Sequence, residues 1–321
     1  MGWLSLIITL LLEQVRPLPA VNPVYGAVRQ VSGWAERNLN AGRRRHGVYA
    51  WLLVVIGLAL VVGAVYAVAS SINVVLGLVV NVAVLFFALG FRQFSHRGTE
   101  IQMALANGDL NAARGELSAW KQQSDPSFTA ADLPQEEVVR QTIEHGLLLA
   151  HRHVFGVFFW FVVLPGPMGA VVYRLAEHVA RVWNRPPPTG TPPDRFGHFA
   201  RRAFAWIDWI PARLTSLGFA IVGDFEGAIY CWRQVSRHAP VGAVPAPDAR
   251  TLILATASGA LGLRLMPAAE AVKHFDEVGN EGAGLAEPTV AALRSVVGLV
   301  WRAMLLWLVL LLALTLARWL A

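Results

Sequence analysis

An aspartate and an arginine stand inside an otherwise apolar stretch, Asp208-Trp-Ile-Pro-Ala-Arg213, and their residue types ask for a chemical role. Charged side chains at membrane depth are costly unless they pair or face a cavity. Pro211 between them removes a helical hydrogen bond and kinks the backbone, which lets the two side chains meet. A structural ion pair and a ligand-binding pair both fit this spacing. His145, His151 and His153 gather near Glu144. Helical spacing puts Glu144 and His145 on different faces from His153, so no metal site is expected, and such histidines suit the level of lipid head groups. Cys231 is the only cysteine, which excludes an internal disulfide and a multi-cysteine metal site and leaves a small core or interface residue. No Walker-type glycine loop, no HExxH and no GxSxG is present.

Those residues need elements to hold them, and the composition says which kind. Of 321 residues, 55% are hydrophobic and 15% charged, above and below the averages of about 45–50% and 25% for soluble chains. From Val48 to Phe91 there is no charged residue. A membrane helix needs about 20 apolar residues, so this run holds two spans, with Ser70, Ser71 and Asn73 at the turn. Arg43, Arg44 and Arg45 before it and Arg92 after it place both ends on the cytoplasmic side. The net charge of +6 is explained by arginines in cytoplasmic loops meeting anionic lipid, and no basic face interleaved with aromatics points to nucleic acid.

The chain divides by composition into three regions. Residues 1–94 form an N-terminal membrane region: a short apolar run Trp3–Leu12, a Pro-punctuated loop Arg16–Val24, an amphipathic helix Tyr25–Asn40 and the hairpin. The short run has no basic start and no cleavage site, which argues for a short span or an interfacial helix rather than a signal peptide. The amphipathic helix carries Val28, Val31, Trp34, Ala35 and Leu39 at helical spacing, its basic end toward the cytoplasmic lipid surface. Residues 95–152 read as a soluble, cytoplasmic helical insert, with a turn at Asn107-Gly108, a cap at Asp109 and a helix opened by Pro134 and two acids. Residues 153–321 form a C-terminal membrane region. Its apolar run His153–Tyr173 is broken at Pro165-Gly-Pro167, leaving a kinked span or two half-helices that enter and return. A stiff linker between Arg185 and Arg195, the stretch Phe204–Gly223, a Pro-rich loop Ala239–Pro247, a small-residue helix Arg250–Leu265, an acidic loop Val272–Pro288 and a final span Val296–Leu320 follow. The break and the Asp208–Arg213 segment are both irregular at membrane depth, so they are expected to lie against one another around a cavity.

Several segments carry a family resemblance. NPVYGAVRQVSGWAERNLN, GDLNAARGELS, EEVVRQTIE, PGPMGAVVYR ending at Arg174, FGHFARRAFAWIDWIPARLT and SGALGLRL stand in an order that resembles the CobD/CbiB family of inner-membrane proteins of cobalamin biosynthesis. The resemblance covers most of the chain. It implies an adenosylcobinamide-phosphate synthase, which joins an aminopropanol phosphate arm to a corrin carboxylate with ATP and Mg²⁺. The chain departs from that pattern at its acids. The family's His-Pro-Val is Asn22-Pro23-Val24 here, and of its acids in the fifth segment only Glu144 stands, the later positions falling on Leu148, Leu149 and Arg152. Its Asn and Asp after Tyr-Arg fall on Glu177 and Ala180, and its Asp-Asp and Asn fall on Phe204, Ala205 and Asp208. Mg²⁺ needs oxygen ligands, usually one or two carboxylates, so ATP and Mg²⁺ are implied only if the synthase activity is retained. The phosphate-facing Arg174 and Arg213 remain.

These readings set the expectations. The fold is an all-α, polytopic integral membrane protein with a soluble helical insert, multi-pass in the bacterial inner membrane. The function is that of a catalytically degenerate CobD/CbiB relative binding an anionic ligand. An AmpE-like sensor linked to β-lactamase induction and cell-wall signalling is the alternative that the same losses and the aromatic WIDWIPAR segment resemble. No catalytic residue and no metal ligand is assigned; Arg174, Asp208, Arg213, Glu144 and Glu177 are the ligand-binding candidates, and the last two with Asp208 are what a rearranged Mg²⁺ site would use. The expected partners are the lipid bilayer, a phosphate- or carboxylate-bearing small molecule and a second copy of the chain, with no nucleic acid.

Overall fold

Asn73 ends one apolar helix and starts the next: in extended backbone its Oδ1 accepts from the Val75 N–H at 2.8 Å, while Ser70 and Ser71 turn their hydroxyls back onto their own helix. The polar triplet is the turn that its composition demands. The structure, a computed structural model, describes residues 2–15, 23–41, 43–89, 91–185, 195–239, 245–267 and 284–320. It is all-α; among the described residues no strand forms, only an isolated bridge between Leu263 and Ala286. Most of the Arg16–Val24 loop, nearly all of the Arg185–Arg195 linker, the middle of the Ala239–Pro247 loop and most of the acidic loop lie outside the described residues.

The chain forms two compact units, one from residues 1–90 and 152–210, the other from residues 91–151 and 211–321. The first unit holds α1 (Gly2–Val15), α2 (Pro23–Leu39), α3 (Arg44–Trp51), α4 (Leu58–Ile72) and α5 (Val74–Ala88), then α9 (Gly156–Val163), α10 (Met168–Val182) and α11 (His198–Ile207). A π-helical turn, Leu52–Gly57, joins α3 to α4 in one helix of 29 residues. The apolar stripe of α2 turns into the unit's own core: Ala35 is fully buried beside Trp51, Val55 and Trp183, and Trp34 is left 48% exposed. At the break, Gly166 takes φ +60, and a Cβ there would meet the Tyr66 ring at 2.5 Å. Beyond it α10 crosses α9 so closely that a Cβ on Gly169 would lie 1.8 Å from the Trp160 carbonyl oxygen.

The second unit holds α6 (Phe91–Ala106), α7 (Leu110–Lys121), α8 (Gln135–Ala150), α13 (Phe225–Arg237), α14 (Ala249–Leu261) and α15 (Ala292–Leu320), with most of α12 (Trp209–Val222). Asp109 caps α7 by accepting from Ala112 N–H at 2.9 Å, directly after Gly108 at φ +77. Residues Thr251 to Ala260 of α14 are all buried, and the helix ends on left-handed Gly262. Its small side chains let it pack on α13 where Gly259 faces the Gly227 carbonyl.

Among the described residues three helices are long and apolar enough to cross a membrane: Arg44–Ile72, Gln135–Val163 and Ala292–Ala317. The second begins well before the apolar run His153–Tyr173, expected as a kinked span or two half-helices, and ends before Pro165. No proline interrupts residues 135–163, and helix continues from α8 through a π-helical turn at His151–Phe155 to α9. The other half of the hairpin, Val74–Ala88, is a shorter apolar helix.

Candidate functional site

The first unit gathers charge on one helix. On α10, Arg174, Glu177 and Arg181 sit three and four residues apart, which puts them on one face. Glu177 is buried; Arg174 Nη1 reaches its Oε2 at 3.5 Å, and Arg181 Nε donates to its Oε1 at 3.2 Å. Burial works against ionising Glu177, but the guanidinium groups of Arg181, Arg174 and Arg152 outweigh it and hold the carboxyl at about 2. Arg174 Nε is itself buried and has no hydrogen-bond partner. Two guanidinium groups therefore reach one carboxylate, Arg152 adds a third positive charge to its surroundings, and the buried Nε of Arg174 is unused.

Next to this row, Tyr173 OH donates to Asp208 Oδ1 at 2.7 Å, and both residues are almost wholly buried. Phe204 packs on the Tyr173 ring at 5.6 Å, and Trp160 Nε1 donates to the Ile207 carbonyl at 3.1 Å. The helices on both sides of the Pro165–Pro167 break thus touch the Ile207-Asp208 corner, as expected of two irregular segments. Between Tyr173 and Asp208 the contact is closed by a hydrogen bond rather than opened around a cavity. His178 shares the face: its Nε2 lies 3.1 Å from Ser32 Oγ, and burial first, then Arg181, lowers its pKa to about 4.

The second unit holds the other candidates. Glu144 accepts from Arg250 Nη2 at 2.7 Å and from Arg140 Nη1 at 3.3 Å. Arg140 also pairs with Glu137 and donates to the Leu265 carbonyl at 3.2 Å, so this network ties α8 to the end of the SGALGLRL segment. Lys121 donates to Gln141 Oε1 at 2.5 Å, its pKa lowered chiefly by burial. Arg213 Nη2 donates to the Ala246 carbonyl at 3.2 Å. The boundary between the units falls after Ile210, with Asp208 in the first and Arg213 in the second. The histidines separate: His145 packs edge-on against Trp120, and His151 Nδ1 lies 2.9 Å from Thr215 Oγ1.

Of the five candidates, Arg174 and Glu177 touch and Asp208 is bonded to the residue beside Arg174; Glu144 and Arg213 belong to the second unit. Arg181 and Arg152 were not among the candidates, although the i, i+4 spacing of Glu177 and Arg181 is readable in the sequence. Tyr173 as the donor to Asp208 carried no such signal, because the two lie far apart along the chain.

The implied Mg²⁺ can be tested against these carboxylates. The ion asks for near-octahedral oxygen ligands at about 2.1 Å. Both Glu177 oxygens face arginines, Glu144 lies between two arginines, and Asp208 Oδ1 takes the Tyr173 hydroxyl. Among the described residues no group of three His, Cys, Asp or Glu side chains is arranged to hold a metal ion. Within either unit, the candidate carboxylates are thus taken up by arginines and Tyr173 and, so arranged, do not fit Mg²⁺.

Comparison with known proteins sets this geometry in a family. The CobD/CbiB protein family matches residues 3–300. The cobalamin biosynthesis protein CobD of Stutzerimonas stutzeri (strain A1501) is 30% identical over 314 residues, 97% of this chain and 97% of its own length. The protein of the same name from Chromobacterium violaceum is 34% identical over 235 residues, 72% of this chain and 69% of its own. That of Clostridium perfringens (strain 13 / Type A) is 24% identical over 230 residues, 68% of this chain and 66% of its own. No solved structure matches. All three relatives bear the cobalamin name, and a likeness to AmpE is not shown. With the match running over nearly its whole length, the chain belongs to the CobD/CbiB family.

Proposed function

We propose that this chain serves cobalamin biosynthesis as a multi-pass protein of the bacterial inner membrane that binds an anionic ligand at α10 and does not turn it over. The observation that carries the reading is the unpartnered, buried Nε of Arg174 in a row where two guanidinium groups face one carboxylate and Arg152 adds further positive charge. A guanidinium fork suits a phosphate or a carboxylate, and an anion there would take up the free donor and offset the surplus charge. Arg152 sharpens the point. By resemblance its position holds an acid in the synthases, so the charge that would attract Mg²⁺ is reversed here. Phe204, at another such position, instead packs on Tyr173.

Joining an amine to a carboxylate through ATP needs a dication to offset the phosphates. The candidate acids Glu144, Glu177 and Asp208 are committed to arginines and to Tyr173, which supports binding without ligation. Purified protein in detergent, given ATP, Mg²⁺, a corrinoid acid and the phosphorylated amino alcohol, should give no amide product, and the gene should not complement a strain lacking the synthase. Product that disappears in Asp208→Ala would overturn the non-catalytic reading. The binding part has its own readout: the phosphorylated amino alcohol should raise the melting temperature of the wild type, and Arg174→Ala should weaken its binding roughly tenfold.

A further inference from the structure

A second cationic locus lies in the first unit, where the start of α3 and the start of α11 come together. Gly47 of α3 approaches the Phe196 backbone so closely that a Cβ there would lie 2.1 Å from its carbonyl oxygen, and Trp51 meets Phe199 edge-on at 5.6 Å. This packing brings Arg43, Arg44 and Arg45 to the same corner as Arg195, His198, Arg201 and Arg202. The six arginines are all exposed, and no ion pair with an acid is formed by any of them among the described residues. His198 feels the crowding: its pKa is lowered by burial, then by Arg44, Arg201, Arg202 and Arg195. No acid stands in the first turn of either helix, and the Nδ1 of neighbouring His46 is buried without a partner.

Such a cluster of like charges opposes folding unless something outside the chain neutralises it. What lies beside it says which anion. Arg44 is the first residue of the 29-residue membrane-length helix, and the next turns expose Tyr49 at 66%, Leu52 at 45% and Leu53 at 53%. Phosphate-seeking arginines thus stand directly above an apolar face, an arrangement that complements an amphiphile rather than a free ion.

We infer that the α3–α11 corner is a binding site for the phosphate head group of an anionic phospholipid, whose acyl chains lie along the Tyr49–Leu53 face. This site is independent of the proposed ligand at α10. It would seat the head group on arginines from two segments far apart in sequence, so lipid binding would tie α11 to the membrane surface.

The test uses the purified full chain in detergent, with phosphatidylglycerol, phosphatidylcholine or inorganic phosphate added at equal phosphorus. Phosphatidylglycerol should raise the melting temperature and remain bound in native mass spectra, whereas the other two should not. Charge reversal in Arg44→Glu/Arg201→Glu/Arg202→Glu should weaken phosphatidylglycerol binding roughly tenfold or more. The milder Arg44→Gln/Arg201→Gln should weaken it in the same direction if the reversed variant does not fold. Arg233→Glu/Arg237→Glu, exposed on α13, reverses two charges elsewhere, more than the Arg44→Gln/Arg201→Gln pair removes, and should leave binding as in the wild type. Undiminished binding in the variants at the corner overturns the site. An equal loss in the α13 variant would reduce it to the general field of a basic protein, and equal stabilisation by inorganic phosphate would replace the lipid by a free anion.

Discussion

Glu177 is a buried carboxylate kept ionised by its neighbours, and that gives the protein a pH signature. Its folded pKa of about 2 lies below the ordinary 4.5, so its contribution to stability is present above about 4.5 and is lost as pH falls toward 2. The difference corresponds to about 3 kcal/mol. The melting temperatures of wild type and Glu177→Gln should therefore differ at neutral pH and converge as pH falls through that window; a gap that stays constant would show that Glu177 does not carry the charge assigned to it. Asp208→Ala tests the neighbouring bond. The fully buried Tyr173 hydroxyl would lose its acceptor, at about 1–3 kcal/mol, and the variant should unfold at lower temperature or denaturant. Retained stability would mean that water or another group replaces the carboxylate.

Helices here are shaped by short polar punctuation and by glycines at crossings, and the two kinds of glycine answer differently to substitution. Gly169→Ala places a methyl group 1.8 Å from the Trp160 carbonyl, so α9 and α10 must part at a cost of about 1–3 kcal/mol. Gly115→Ala adds a methyl group to exposed α7 with nothing within 4 Å, and gains about 0.5–1 kcal/mol from helix propensity. Thermal unfolding of the two variants should shift in opposite directions, and a shift of the same sign would show that the α9–α10 crossing is not as tight as described. The turn at Asn73, the cap at Asp109 and the break at Pro165-Gly-Pro167 were legible because each depends on residues adjacent in sequence. The run through residues 135–163 was not, because a polar helix and an apolar one read as separate elements when nothing but a π turn joins them.

At the scale of the molecule, the long apolar helices and the arginines beside Arg44–Ile72 set the topology to be tested. A reporter at Gly115 should be active on the cytoplasmic side, and activity on the outer side would invert the arrangement. Composition divides the chain into consecutive blocks ending near residues 94 and 152, because it registers only how polar each stretch is. Contacts group residues 1–90 with 152–210 and residues 91–151 with 211–321, because helices share a core with whatever packs on them, near in sequence or not.

The sequence by itself determined the helical class, the first and last membrane-length apolar helices, the cap at Asp109 and the family, since all of these rest on local pattern or on ordered motifs. It also pointed to Asp208 and Arg213 as charges inside an apolar stretch, and the family resemblance pointed to Arg174 and Glu177. Only the tertiary structure decided their partners. Asp208 bonds to Tyr173, Glu144 is held by Arg250, and the stripe of α2 faces a core containing Trp183. Each of these contacts joins segments tens of residues apart, and the energy of burying a charge depends on the groups that surround it in space, which spacing along a chain does not encode.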